Sequence, residues 1–366
     1  MQARTEKFSP CLYCTYVQRI FPLMKKQILS LLFMSLCATM LAQENASTEP
    51  TQKVPVSWMP HVSGTIRAKM EYQTNENESR FEVRTARIAL DGFVTPIVNY
   101  KAEIDLSDEG QIKMLDAYAG VLPTKGLNLR IGQMRVPFSI DAHRSPHKQY
   151  FANRSFIAKQ VGNVRDVGFY AGYQLPGCPL ILEAGAFNGS GLTNQKNYWT
   201  KTFNFSAKAQ YILPCGLTLQ ASVQKISPNN TNTYLYDGGI TLQSGRLTVE
   251  GEYLRKHYSK NAFSDVNAVD AFICYDQPLK KAFRKISFLC RYDMMDNHSD
   301  GTLGDNGQMK LTDAQRQRVT GGITLSMAKK MNADIRLNYE KYIYDDITLA
   351  KPSERDKVVA ELVVHF

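Results

Sequence analysis

Between Met134 and Asn163 the chain gathers Arg135, Arg144, Lys148, Arg154 and Lys159, with Arg165 just beyond, against only Asp141 and Asp166; His143 and His147 add to the cluster. Fixed positive charge at this density suits the attraction of anions, and guanidinium groups suit phosphate because their planar fork gives paired hydrogen bonds. Other chemistries fit less well. His143 and His147 stand four apart, but Pro146 between them argues against the helix that a zinc pair would need. No Gly-x-Ser-x-Gly elbow and no phosphate-cradling glycine loop occurs, and nothing in the spacing nominates a Ser and His pair, so no enzyme, metal or cofactor is expected.

These residues sit between two stretches of regular pattern. Leu127, Leu129 and Ile131 alternate with Asn128, Arg130 and Gly132, the period of two that places apolar and polar side chains on opposite faces of a strand. Pro137 ends that run, and alternation resumes near Asp166. A connection of about thirty residues without a period is uncommon and usually functional.

The same alternation fills the rest of the chain. Ile66, Ala68, Met70 and Tyr72 oppose Thr65, Arg67, Lys69 and Glu71; Val98, Tyr100, Ala102, Ile104 and Leu106 oppose Asn99, Lys101, Glu103 and Asp105. It recurs over 203–211, 217–224 and 333–340, and no comparable stretch has a helical period. About sixteen such runs, each near ten residues, suit tilted strands crossing a bilayer in an all-β, antiparallel transmembrane barrel. Numbered along the chain, the even connections read as tight turns and the odd ones as polar and mostly longer, the parity expected of periplasmic turns and external loops. The basic segment is then the third external loop, expected to fold into the lumen, with Arg135, Arg144, Lys148, Arg154, Lys159 and Arg165 as an anion-attracting constriction. On the polar strand faces Arg67, Lys69, Arg87, Lys101, Arg130, Lys208 and Arg336 are expected to line the pore wall, interleaved with acids. The alternative for the loop is a solvated surface segment whose charges meet lipopolysaccharide phosphates.

The N-terminus bears on compartment. Residues 24–42 carry two lysines, an apolar run and a small residue before a polar stretch, the form of a secretory signal peptide. On that reading residues 1–23 belong to an upstream start chosen in error, 43–59 form a polar periplasmic leader, and 60–366 form the barrel. The formal charge of +10 falls to a net +6 once residues 1–42 are set aside. Export and the lack of any helix-turn-helix or zinc pattern exclude a nucleic-acid partner. Cys178, Cys215, Cys274 and Cys290 remain, in a compartment that permits disulfides without requiring them. The last strand alternates Val358, Ala360, Leu362 and Val364 with Lys357, Val359, Glu361 and Val363, and the chain stops on Phe366, a terminal aromatic of the kind bacterial outer-membrane proteins carry.

A family resemblance rests on ordered motifs between residues 80 and 170: Arg84-Thr-Ala-Arg87 with Leu90-Asp-Gly92, Tyr100-Lys-Ala-Glu103-Ile-Asp105, Leu115-Asp-Ala-Tyr118, Leu129-Arg-Ile-Gly132-Gln133, Val136-Pro-Phe-Ser139, Asn153-Arg-Ser155 and Arg165-Asp-Val-Gly168. Together they resemble the phosphate-selective porin O and P family. The resemblance implies a sixteen-stranded porin of the cell outer membrane, usually a homotrimer, that passes small anionic solutes such as phosphate or polyphosphate through a basic constriction by passive diffusion. Outer-membrane lipid and lipopolysaccharide are the implied surroundings. A plugged barrel serving as a surface binding or adhesion protein is the competing reading, and a secreted soluble β-protein the third.

Overall fold

The computed structural model describes residues 59–366 apart from 109, 161–163, 193–194, 229–230, 306–307 and 328–331. The segments 1–23, 24–42 and 43–59, read above as upstream start, signal peptide and leader, lie outside the described residues except for Met59.

Sixteen strands follow in order: β1 (His61–Gln73), β2 (Glu78–Thr95), β3 (Val98–Asp108), β4 (Gln111–Val121), β5 (Leu127–Arg135), β6 (Arg165–Gln174), β7 (Leu180–Phe187), β8 (Asn204–Ile212), β9 (Leu217–Ile226), β10 (Thr233–Ser244), β11 (Leu247–Tyr258), β12 (Val266–Pro278), β13 (Phe283–Met295), β14 (Arg316–Met327), β15 (Ala333–Tyr344) and β16 (Lys357–His365). Each pairs antiparallel with the next, and β16 closes on β1 in the register Thr65↔His365 through Gln73↔Lys357. Closure leaves no free edge, so every strand finds its backbone partners within the sheet, as hydrocarbon surroundings require.

Burial settles which face is which. On β1 Arg67, Lys69 and Glu71 are buried while Ile66 and Ala68 are exposed; on β15 Arg336, Asn338 and Glu340 are buried while Ile335, Leu337 and Tyr339 are exposed. Polar side chains therefore turn inward and apolar ones outward, the reverse of a soluble sandwich and the arrangement of a barrel in lipid. Among the described residues no helix is long and apolar enough to cross a membrane.

The connection parity holds with a correction. All even connections span five residues or fewer, whereas the odd ones are 74–77, 109–110, 136–164, 188–203, 227–232, 259–265, 296–315 and 345–356. The first two odd connections are as short as turns, so length marks the long-loop end only from the third onward. That third connection is the longest. Arg135 closes β5 and Arg165 opens β6, so two of the six nominated cations stand at strand ends flanking the loop. Within the loop lie a 3-10 turn, Pro146–Lys148, and one short helix, α1 (Phe156–Gln160).

All four cysteines in the barrel are free. Cys274 pairs in register with Leu289 and Cys290 with Ile273, so the one-residue offset turns Cys274 inward and Cys290 outward and rules out a bridge. At the closing seam Gly64 and Phe366 exchange both backbone bonds, at 2.9 and 3.1 Å, and the Phe366 ring lies over Gly64 where a Cβ would come within 2.3 Å of it.

Candidate functional site

Residues 139–156 are hydrogen-bonded to inward-facing side chains of β1, β11, β13, β14 and β15. Glu252 of β11 accepts from the Ser139 hydroxyl at 2.5 Å and from the Ile140 and Asp141 amides at 2.7 and 3.2 Å. The Ala152 amide donates to Asn338 of β15 at 2.8 Å, and the Phe156 amide to Asp293 of β13 at 3.0 Å. In return Arg67 of β1 donates to the Ala152 carbonyl at 2.6 Å, Arg291 of β13 to the Asn153 carbonyl at 3.0 Å, and Arg318 of β14 to the Arg154 carbonyl at 2.7 Å. Irregular backbone shielded from water needs such partners.

An apolar contact underlies the polar ones. Met134, Val136, Phe138, Phe156 and Ile157 pack with Leu235, Leu254, Val266, Ala268 and Met295 of β10 to β13 in one cluster. Phe156 is wholly buried, with the Arg316 and Arg318 guanidinium groups 4.4 and 4.7 Å from its ring centre. Burying one such ring stabilises by about 1.5–3 kcal/mol, so the segment is held by packing as well as by charge.

The six nominated cations have different surroundings. Arg144 meets Glu250 at 2.6 Å and Asp141 at 3.1 Å and stacks on Tyr150; burial lowers its pKa, but the two carboxylates outweigh that and hold it above the ordinary arginine value. Lys159 pairs with Glu354 at 3.1 Å, yet burial, only partly offset by that carboxylate, brings its ammonium down to about 8. Arg165 pairs with Asp116 at 2.7 Å and Glu103 at 3.4 Å. Arg135 donates to the His143 carbonyl, and Arg154 to the carbonyls of Asp141 and, at 2.7 Å, Arg144; burial lowers Arg154 to about 10, still charged at neutral pH. Lys148 is exposed. The surplus of positive charge read along the sequence is therefore corrected: Glu250, Glu354, Asp116 and Glu103, all outside the loop, neutralise Arg144, Lys159 and Arg165.

The buried acid and histidines of the loop follow the same field. Burial raises the Asp141 carboxyl, but Arg144, Arg154 and the Ser155 amide overcome it and leave the value at about 2. Burial depresses His143 well below its ordinary range, with Lys208, Arg135 and Arg165 adding to the effect. His147 falls to about 4 through burial, then through His365, with which its ring stacks at 5.0 Å, and through Lys148 and Arg336.

The wall cations are also largely paired. Arg67 and Arg336 share Glu361 at 2.6 and 3.0 Å. Lys69 meets Glu71 at 2.8 Å, Arg87 meets Asp105 at 2.9 Å, Lys101 meets Glu103 at 2.7 Å and Lys208 meets Glu183 at 2.6 Å. Arg130 instead sits between the rings of Tyr118 and Tyr170, 4.9 Å from each.

Six of the thirteen nominated cations line two neighbouring cavities. A cavity of about 300 Å³ between the loop and β1 to β4 is lined by Arg67, Arg84, Arg87, Lys113, Arg154 and Arg165 against the carboxylates Glu82 and Asp105. A second, of about 320 Å³, shares Arg87 and Pro146 with it and continues toward the short-turn end past Lys101, Arg135, His147 and His365. Arg144, Lys148, Lys159, Lys69, Arg130, Lys208 and Arg336 line neither. Arg84 and Lys113 stand outside the nominated set, although Arg84 belongs to a quoted motif, because a single extra residue in each strand, Arg84 in β2 and Leu115 in β4, breaks the alternation there. It also missed the carboxylates that fasten the loop, whose partners lie up to 195 residues away.

A family model described as phosphate-selective porin O and P matches residues 63–253. No curated protein matches. Among solved structures the chain is similar to an anion-selective porin from Comamonas acidovorans (12% identity, 84% of this chain and 99% of that one, TM-score 0.60) and the outer-membrane channel DcaP of Acinetobacter baumannii (14%, 84% and 97%, TM-score 0.59). It is also similar to in-vitro folded OmpT of Vibrio cholerae in a trimer form (11%, 84% and 98%, TM-score 0.56). At these identities the likeness is one of fold, a closed porin barrel of the outer membrane. The family model covers more than half of the sequence, and the chain belongs to the phosphate-selective porin O and P family.

Proposed function

We propose that the protein is a passive outer-membrane channel with a mild preference for small anions, phosphate among them, and that segment 136–164 lies across the lumen and narrows it to a passage beside β1 to β4. The observation that carries this is the cavity with six cationic and two anionic side chains in its lining. Fixed positive charge in a narrow passage with low-dielectric walls raises local anion concentration and lowers that of cations. The preference is mild because Arg67, Arg87 and Arg165 in that lining are backed by Glu361, Asp105 and Asp116. The bonds from the loop to β1, β11, β13, β14 and β15 support its placement across the lumen, since a segment hanging clear of the mouth would not reach inward side chains on so many strands.

The long-loop end faces the cell exterior in this reading, with residues 24–42 as the export signal and lipopolysaccharide around the rim. A homotrimer is the assembly proposed, in keeping with the trimer form of the Vibrio OmpT barrel. Reversal potentials in a KCl gradient across a planar bilayer test the selectivity, and liposome swelling tests the passage of solutes. Cation preference would remove the anion claim and leave the channel. Absence of both conductance steps and swelling would favour a plugged barrel with a binding role.

A further inference from the structure

We propose that the outer wall across β6 to β10 holds one phosphate-bearing lipid, its acyl chain in a furrow floored by alanines and its phosphate at Lys225. Two hollows on this wall, about 600 and 430 Å³, share Ala171, Ala184, Ala207 and Val223 and so form one continuous furrow. The floor follows from register: Ala171 pairs with Ala184 and Ala184 with Ala207, so three adjoining strands present methyl groups at one level while Phe205 and Tyr236 stand above it. A hydrocarbon chain laid there contacts atoms on its floor and both sides, where a flat wall offers one side only.

Charge selects the occupant. Lys225 belongs to the lining at the long-loop end, in register with Phe205 on one side and Tyr234 on the other, and it forms no ion pair among the described residues. Asp265, near the same rim, is already held by Arg255 and His257, each at 2.7 Å. A second copy of the chain seated here would strand the Lys225 ammonium under protein, whereas a lipid phosphate supplies its counter-charge at the level of the headgroups. Aromatic rings beside it suit the same boundary.

Native mass spectrometry of the full barrel in detergent, titrated with dioleoyl phosphatidylglycerol or dioleoyl phosphatidylcholine, reads the site directly. One tightly retained lipid per chain is expected in the native protein. Lys225→Gln should lower retention of phosphatidylglycerol about fivefold and leave phosphatidylcholine little changed, the worth of one lysine near an anionic headgroup. Ala207→Leu, which fills the furrow, should lower retention of both, and heat-dependent gel mobility confirms that each variant still forms the barrel. Unchanged adducts in Ala207→Leu overturn the furrow assignment. Unchanged phosphatidylglycerol retention in Lys225→Gln overturns the phosphate assignment. An oligomer that dissociates in Ala207→Leu while lipid stays bound shows the wall to be a protein contact, and the proposal fails.

Discussion

Replacing Arg154 by Gln separates the two things a lumen cation can do. Its guanidinium lines the cavity beside β1 to β4 and donates to the main-chain carbonyls of Asp141 and Arg144, with no ion pair among the described residues. Removing the charge therefore leaves no buried carboxylate orphaned. An ion passing about 4 Å away in water-like surroundings loses roughly 1 kcal/mol of interaction, about fivefold in local anion concentration, with the opposite change for cations. Screening sets the conditions: the Debye length is about 10 Å at 0.1 M salt and about 3 Å at 1 M. In a planar bilayer at 0.1 M the reversal potential in a KCl gradient should move toward the cation side, and at 1 M the change should nearly vanish. The other cations of the lining remain, so the preference weakens and does not invert. An unchanged reversal potential at 0.1 M, with single-channel conductance and barrel assembly intact, would refute the assignment of selectivity to this cavity.

Three further outcomes follow from the same geometry. Arg144→Gln leaves Glu250 and Asp141 buried without their cation, which costs about 3–5 kcal/mol; protease cleavage within 136–164 should rise and the unfolding temperature on gels should drop, with a smaller selectivity change than Arg154→Gln gives. Phe156→Ala removes a buried ring from between two arginines, a loss of about 3–5 kcal/mol, and should appear as larger and noisier conductance steps as the loop loosens. His147 has a folded value of about 4 against an ordinary 6.5, so its neutral form is favoured by the fold. That contribution is complete above 6.5 and is lost as the pH falls through 6.5 toward 4, where the imidazolium adds positive charge to the short-turn vestibule. Anion preference should therefore rise below about pH 5, and a His147→Gln protein should show less of the rise; identical pH profiles would refute the role.

The sequence by itself determined the barrel, because the information that makes a strand is local. Alternation with a period of two, as in Thr65 to Tyr72 or Val98 to Leu106, fixes which side chains share a face whatever the partner strand, and turn residues at short intervals fix the number of strands. The long third loop was legible for the same reason, as a stretch where the period fails. The charge balance of the lumen was not. Only the closed register brings Glu250 to Arg144, Glu354 to Lys159 and Glu361 to both Arg67 and Arg336, across separations of up to 294 residues. Counting charges within one segment made that segment look strongly basic. The fold pairs Arg144, Lys159 and Arg165 with carboxylates remote in sequence and places Arg84 and Lys113 in the lining of the cavity beside β1 to β4. A Coulomb interaction depends on distance in space, and in a barrel that distance is set by which strand closes on which.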